Sequence, residues 1–400
     1  MNPILETPIA LPTGGKAELA RRLFANIARN GTDLADGIME IDVEEYRDAE
    51  LARRERREVF GRVPIVAAHG SELPAVNDFR RVQLPNNEAL LVRQADGSVR
   101  AFVNVCRHRG ARLAGEDCGG KKLFTCIYHG WSYRPDGSLA HVSFPETFGD
   151  LDRSGYGLIE LPCQLRHGLV WVTDRVGAVC DPRDWLGAEL DDTFTEYGLD
   201  RYRCFRLGSF DEEINWKVLM DAFLDNYHIA TTHANSVGPY FYSNVQIVDG
   251  IGRHCRAISP RRSIDKILHE PVESAPIERH VTIGYSMMPN LVLLRQPDHF
   301  QLLSFLPHPS GPARSRMEIR MIVPEASDRT SDTDEITARW EKNWTILMNV
   351  LRDEDMALNR DLQVALGSAD GPHRLLIGRN EVVNQRFHRW LDAALQGNLG

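Results

Sequence analysis

The sequence predicts an α+β protein. A small all-β unit comes first, and a larger domain with an antiparallel sheet flanked by helices, helix-grip-like in outline, follows it. Three observations predict this. From about residue 62 short apolar runs are punctuated by Gly, Pro, Asn and Asp. Between residues 281 and 323 four further runs have strand character. Two long periodic segments then close the chain. Strands followed by helices, rather than alternating with them, favour segregated layers over a parallel α/β sheet. The 400 residues suffice for two or three domains with real cores. The expected divisions are 1–61, 62–174 and 175–400.

In chain order, the Gly14-Gly15 turn precedes a helix over 16–29, where Leu19, Leu23 and Ile27 recur four apart. Asn30-Gly31 supplies its stop. Asp42 with Glu45 reads as a capping-box start to a second, highly charged helix ending near Phe60. Runs at Val63–Ala68, Ala89–Arg93, Ala101–Val105, Lys122–Thr125 and Leu169–Thr173 read as strands of the all-β unit. Asn215 to Thr232 reads as helical. Val281–Tyr285, Leu291–Arg295, Gln301–Leu306 and Met317–Val323 read as strands, the last with alternating Met317, Ile319, Met321 and Val323. Pro307 to Pro312 reads as a loop. Helices are expected at about 333–366 and 380–396.

The net charge of −9 disfavours nucleic acid or an anionic membrane as partner. The basic run Arg53-Arg54-Glu55-Arg56-Arg57 lies among many Glu and reads as a solvated helix. No stretch approaches 18 consecutive apolar residues, and the start Met-Asn-Pro-Ile-Leu-Glu lacks a basic, apolar leader pattern. The seven Cys are scattered and do not resemble a disulfide framework, so reduced thiols in the cytoplasm are the expectation.

The chemistry is concentrated in two places. Cys106-Arg-His108 and Cys126-Ile-Tyr-His129 are separated by seventeen residues, and each half pairs one Cys with one His. A Rieske [2Fe–2S] centre needs two thiolates on one iron and two imidazoles on the other, and two such loops meet that need symmetrically. A structural zinc site instead groups its Cys and its His in separate halves, which a C-x-H half fits poorly. Gly110 and Gly130 follow the two loops, where tight turns favour Gly. The extra loop cysteines of quinol-oxidising Rieske proteins are missing, since Ala111, Ile127 and Tyr128 occupy the loops.

The second place is Asp225-Asn-Tyr-His228-Ile-Ala-Thr-Thr-His233. Alone, two His five apart are more often surface or packing residues. On an ideal helix they diverge by about 140°, so both reach one metal only if the helix ends or distorts near Thr231. With a distant carboxylate they would form the facial triad of non-haem Fe(II) oxygenases. Near the C-terminus Trp340, Trp344, Leu347, Leu351 and Asp355 follow one stripe. Asp355 thus projects from an apolar face, where a carboxylate needs a partner and a metal supplies one. An exposed or Arg-paired Asp355 is the plain alternative, and Asp353 and Glu354 are rival ligands.

On these motifs the chain resembles the catalytic α subunit of a Rieske non-haem iron oxygenase. The shared residues are Cys106, His108, Cys126, His129, Gly130 and Trp131, then Asn215-Trp216-Lys217. Asp225, Tyr227, His228 and His233 follow, and then Asp355 after Glu354 with Gln363 downstream. Order and approximate distances match over nearly the whole chain. The resemblance implies a [2Fe–2S] cluster on Cys106, His108, Cys126 and His129, and Fe(II) on His228, His233 and Asp355. It implies that Asp225 bridges the two centres between neighbouring subunits of a head-to-tail homotrimer, with His129 on the cluster side. It also implies an organic substrate, O2, an NAD(P)H-dependent reductase with an optional ferredoxin, and an optional β subunit. The chain itself has no G-x-G-x-x-G between a strand and a helix, so its electrons must come from another protein.

Where many members have Asn, this chain has Asp221-Ala222. Asp221 reads equally as a hydrogen-bond acceptor behind the site or as a cap-region charge. The family spans ring dihydroxylation, monohydroxylation and O- or N-demethylation, and the motifs do not choose among them. A Rieske electron carrier without oxygenase activity is the rival reading, against which the 226 residues from 175 onward argue. Met220, Phe223 and Leu224, then Val237, Tyr240 and Phe241, with Val292 and Leu294, would give an apolar pocket or simply a core.

Overall fold

The computed structural model describes Ile9, residues 15–325 and residues 334–400. The readings that concern the first six residues, Gly14 and residue 333 lie outside the described residues. The chain divides into two compact units, Arg56–Ala188 with Leu199–Arg203, and Met1–Glu55 with Glu189–Gly198 and Cys204–Gly400. The first of these is longer at both ends than the 62–174 expected from sequence.

That unit is β apart from short turns, the π-helical residues Arg56–Phe60 and the start of the helix Pro182–Tyr197. A five-stranded antiparallel sheet has the order Glu160–Leu161, Val99–Val103, Glu88–Arg93, Asp78–Gln83, Cys118–Gly120. Two three-stranded sheets accompany it, one of Cys163–Arg166, Leu169–Val172 and Ile65–His69, the other of Phe124–Thr125, Ser132–Tyr133 and Leu139–His141. Six of these strands escape the sequence reading. They are two to six residues long and mostly polar or Gly-rich, so strand pairing rather than hydrophobic alternation defines them. Phe79, Leu90, Val92, Phe102, Phe124, Trp131 and Tyr133 form the core, and Cys106 and Cys126 are buried within it.

In the other unit a seven-stranded antiparallel sheet has the order Tyr202–Glu212, Ser315–Pro324, Phe300–Pro307, Leu291–Arg295, Val281–Met287, His254–Pro260, Ile247–Ile251. All eight residues of Phe300–Pro307 are buried, as are all seven from Met317 to Val323. The alternation read at Met317–Val323 therefore marks two buried faces rather than one. Met321 pairs with Gln301, and Ile322 with Phe300, so successive residues face opposite sides. On one face Met321 and Val323 pack with Trp340, Ile336, Trp344 and Phe205. On the other, Tyr197 meets Phe300 edge-on at 5.2 Å and exchanges a hydrogen bond with the Tyr285 hydroxyl at 2.8 Å.

The N-terminal helix Lys16–Ala28 buries Leu19, Leu23 and Ile27 and ends before Asn30, which adopts φ +47. The single charged helix expected from Asp42 to Phe60 is instead three pieces. Asp42 accepts from the Glu44 N–H at 3.0 Å and caps only the 3-10 turn Val43–Tyr46. Asp48 starts the helix Ala49–Arg54, accepting from Glu50 and Leu51, and Glu55–Phe60 continues as a π-helix. Two acidic caps compete here, and the later one governs the α-helical start. Glu55 is fully buried, pairs with the Lys217 ammonium and accepts from Trp216 Nε1 at 2.9 Å. The Asn-Trp-Lys motif is thus a buried polar anchor for the N-terminal segment.

Two candidate metal centres

The two Cys–His loops fold alike. In each, the Cys N–H donates five residues on, Cys106 to the Ala111 carbonyl and Cys126 to the Trp131 carbonyl, both at 2.8 Å. The Gly four residues on donates back, Gly110 to Cys106 and Gly130 to Cys126, both at 3.0 Å. These glycines adopt φ +77 and +73, a region that side chains resist. At Gly130 a Cβ would also lie 2.6 Å from Ser143 Oγ.

The loops bring all four predicted cluster residues together. The His108 and His129 rings are 4.6 Å apart, and the indole of Trp131 stacks on His108 at 4.9 Å. Both cysteines are free thiols, so no loop disulfide of the quinol-oxidising kind is present among the described residues. Burial pushes the Cys106 thiol up, and the Tyr133 hydroxyl, 3.4 Å from Cys106 Sγ, pulls it down. The same hydroxyl accepts the Arg107 N–H at 2.9 Å. His108 Nδ1 is buried with no hydrogen-bond partner. A buried imidazole nitrogen without a partner is costly as it stands and is resolved by a metal. The donor set of two sulfurs and two imidazoles fits a Rieske cluster.

The segment carrying the second site is less helical than its sequence suggests. A helix runs over Trp216–Ala222, capped by the Asn215 side chain, and a one-turn helix over Ile229–Thr232. Asp225 breaks the path between them, its Oδ1 accepting the N–H groups of Tyr227 at 2.6 Å and His228 at 3.1 Å. This is an Asx-type turn that competes with helix continuation. His233 lies just past the short helix at φ −103, ψ 23, so the end required near Thr231 is present.

The third element is the long helical segment Asp334–Val350, Leu351–Asp355 and Met356–Leu366, whose middle piece is a π-helix. Wide turns of this type occur often at functional sites. Leu351 and Asp355 are both buried, as the stripe predicts. His228, His233 and Asp355 bring donor atoms within 4.8 Å of one another. Their outer atoms are also held. His228 Nδ1 lies 3.1 Å from Asp225 Oδ1, and His233 Nδ1 lies 2.6 Å from Glu354 Oε2. Each carboxylate thereby accepts a hydrogen bond from the Nδ1–H and leaves Nε2 for the metal, the usual arrangement behind a metal-bound imidazole.

His233 Nε2 is 3.4 Å from Asp355 Oδ1. Burial opposes protonation of His233, but Asp355 and Glu354 together raise its pKa. Burial raises the Glu354 carboxyl, yet His233 and the Ser236 hydroxyl, which donates at 2.7 Å, bring it below its ordinary value. Glu354 thus supports His233 from behind and is not placed as a rival ligand. Sequence reasoning missed this support because no spacing rule ties residue 354 to residue 233.

Asp221 is a hydrogen-bond acceptor and not a cap. It receives the Tyr46 hydroxyl at 2.8 Å, His388 Nε2 at 3.0 Å and the Asn384 amide. His388 Nδ1 meets Glu45 at 3.2 Å. Of the apolar residues read as pocket lining, Met220 and Leu224 are buried and Phe223 meets Phe305 at 5.2 Å. Tyr240 does not fit, being 68% exposed.

Two Cys–His loops in a β unit, and two His with one Asp beside an antiparallel sheet, define a Rieske-type iron protein with a second, mononuclear metal site. The Rieske [2Fe-2S] domain family matches residues 63–152, and the ring hydroxylating alpha subunit (catalytic domain) family matches residues 199–397. The chain belongs to this family of Rieske oxygenase α subunits, whose cofactors are a [2Fe–2S] cluster and mononuclear iron.

It is 33% identical over 209 residues to the anthranilate 1,2-dioxygenase large subunit of Acinetobacter baylyi, covering 50% of this chain and 44% of that one. It is 36% identical over 201 residues to the large oxygenase component of the 2,4-dinitrotoluene dioxygenase system of a Burkholderia species, covering 48% and 43%. These matches span less than half the length of either relative. Among solved structures, the quaternary ammonium Rieske monooxygenase CntA has a TM-score of 0.76 at 20% identity, covering 94% of this chain and 98% of that one. Naphthalene 1,2-dioxygenase from Rhodococcus has a TM-score of 0.69 at 19% identity, covering 96% and 99%. At such identities these two establish the fold alone.

Proposed function

We propose that this chain is the terminal oxygenase component of a cytoplasmic multicomponent system. It hydroxylates an aromatic or other hydrophobic substrate with O2, using electrons from NAD(P)H delivered by a separate reductase, with a ferredoxin between them in some systems. The observation that carries this reading is the convergence of His228, His233 and Asp355 within 4.8 Å in the same chain as the paired Cys–His loops. The relatives named as anthranilate, 2,4-dinitrotoluene and naphthalene dioxygenases support an aromatic substrate. Among the described residues no helix is long and apolar enough to cross a membrane, which agrees with this setting.

In this reading Cys106, Cys126, His108 and His129 hold the cluster, and His228, His233 and Asp355 hold the ferrous ion. When bound, the cluster supplies single electrons and the ferrous ion supplies the centre for O2 activation. The protein's own task is positional. Glu354 and Asp225 keep the Nδ1 protons of His233 and His228 in place, so both rings present Nε2. Asp225 Oδ2 has no hydrogen-bond partner among the described residues, and it is free to accept the ring N–H of His129 of a neighbouring copy. This supports the reading of Asp225 as the bridge in a homotrimer, with or without a β subunit. The division between the unit Arg56–Ala188 with Leu199–Arg203 and the rest of the chain is then a division between electron entry and substrate oxidation. The test is product analysis and O2 uptake with purified protein, a surrogate reductase and a panel of aromatic acids, polycyclic hydrocarbons and methylated amines. A protein with a Rieske spectrum that no reductase turns into substrate-dependent O2 uptake would refute the proposal.

A further inference from the structure

Arg261, directly after the strand His254–Pro260, is a largely enclosed cation that no carboxylate of the described residues reaches. Its Nη2 donates to Thr282 Oγ1 at 3.3 Å and to Gln296 Oε1, both neutral acceptors. Nε is buried with no partner, and Nη1 has no hydrogen-bond partner among the described residues. The ring of Phe241 lies 5.4 Å from the guanidinium carbon. The acid that acts on it electrostatically, Asp298, is already engaged by His299 at 2.8 Å and Arg339 at 3.0 Å. Arg256, within the strand His254–Pro260, is the contrast, since it meets Asp249 at 2.9 Å. A desolvated guanidinium with no anion is costly, and a planar five-donor fork is suited to binding a carboxylate. Burial lowers the Arg261 pKa, in line with that cost.

Arg261 also faces the metal-site side of the sheet. Ser259 pairs with Thr282, and Asn226, next to Asp225, donates to Ser259 Oγ at 3.4 Å. Arg261, two residues beyond Ser259, reaches Thr282 on that same side. Phe241, which forms a bridge with Arg261, ends the short stretch that starts at His233, and within it Gly238 donates to the His233 carbonyl at 2.9 Å. Phe241, bridged to Arg261, thus lies eight residues along the chain from the iron-ligand candidate His233.

We infer that Arg261 anchors an anionic substrate group, a carboxylate on a compact apolar skeleton, held through its vacant donors with Phe241 beneath the guanidinium. The inference rests on the oxygenase reading for the identity of the ligand as substrate. The substrate class would then be organic acids rather than neutral hydrocarbons. Gln296 and Thr282 position the fork, and Phe241 keeps water from its face.

The test is anaerobic calorimetry on the iron-loaded protein with benzoate, phenylacetate and hexanoate, each paired with its amide. The expected result is at least one acid that binds tenfold or more tightly than its amide. Arg261→Gln should abolish the preference while leaving the Rieske absorbance, the iron content and the melting temperature unchanged. Arg261→Lys should retain part of it, as a point charge without the fork. An absence of preference in all three pairs, or a preference that survives in Arg261→Gln, overturns the inference. Should that happen while a neutral aromatic still drives O2 uptake, the proposed function stands without the carboxylate anchor. A preference for acids with no substrate-dependent O2 uptake under any reductase instead leaves the anion site and removes the oxygenase reading.

Discussion

Glu354→Ala removes a 2.6 Å bond to His233 Nδ1 without touching a donor atom of the three-residue metal set. A hydrogen bond involving a charged partner contributes on the order of 1.5–3 kcal/mol. Loss of a carboxylate behind a metal-bound imidazole typically weakens metal binding about 10- to 100-fold, or about 1.4–2.8 kcal/mol at roughly 1.4 kcal/mol per decade. The two ranges agree. The Glu354 side chain is 25% exposed, so water can replace part of the bond, which favours the lower end. The assay is titration of the mononuclear site, with the cluster left intact, using Co2+ against a chromophoric chelator. Glu354→Ala should bind about tenfold more weakly, and Glu354→Gln, which keeps an acceptor, should lose less. Unchanged affinity in Glu354→Ala refutes the support role. A loss as complete as that of Asp355→Ala would show that Glu354 belongs to the ligand set itself.

Three further expectations follow from buried groups. Burial disfavours the His388 cation, but Asp221 and Glu45 overcome it and raise its pKa to about 9, above the roughly 6.5 of the unfolded chain. Its stabilisation is therefore full below about pH 6.5 and is lost as pH rises through 9, about 3 kcal/mol in all. Urea midpoints of wild type and His388→Gln should converge between pH 6 and 9.5, and a constant gap contradicts this. Glu55→Ala strands the Lys217 ammonium, 1% exposed, and should cost about 3–5 kcal/mol, with Glu55→Met/Lys217→Met recovering most of it by the same urea measurement. Recovery failing in the double variant would mean that the pair is not the source of the loss. Gly130→Ala forces a side chain onto φ +73 and against Ser143, so cluster content per chain should fall, and normal Rieske absorbance would refute the steric argument.

Four strands of the seven-stranded sheet and its flanking helices were legible because long apolar runs such as Leu291–Arg295 carry their own strand signal, whereas Tyr202–Glu212, Ile247–Ile251 and His254–Pro260, interrupted by charged residues or Gly, were not. Strands such as Cys118–Gly120 were not, since nothing in three small residues marks a strand until Asp78–Gln83 lies beside them. The Cys–His loops and the His228–His233 pair were legible because ligand chemistry restricts both residue type and spacing. The helix over Asn215–Thr232 was overread. Its apolar periodicity continues across Asp225, and only the carboxylate's capture of two N–H groups shows that the helix has stopped. The π-helix at Leu351–Asp355 left no mark on a stripe that α-helical spacing already satisfied. Glu354 and His388 act on partners more than a hundred residues away, a relation no local pattern encodes.

The central claim is that one chain holds two different iron centres. Iron and sulfide analysis of anaerobically purified protein, with Asp355→Ala beside the wild type, tests it most directly. About three Fe and two sulfides per chain are expected for the wild type, and about two Fe with unchanged Rieske absorbance for Asp355→Ala. A colourless, zinc-loaded wild type, or an Asp355→Ala protein that still carries the third iron, would contradict the account.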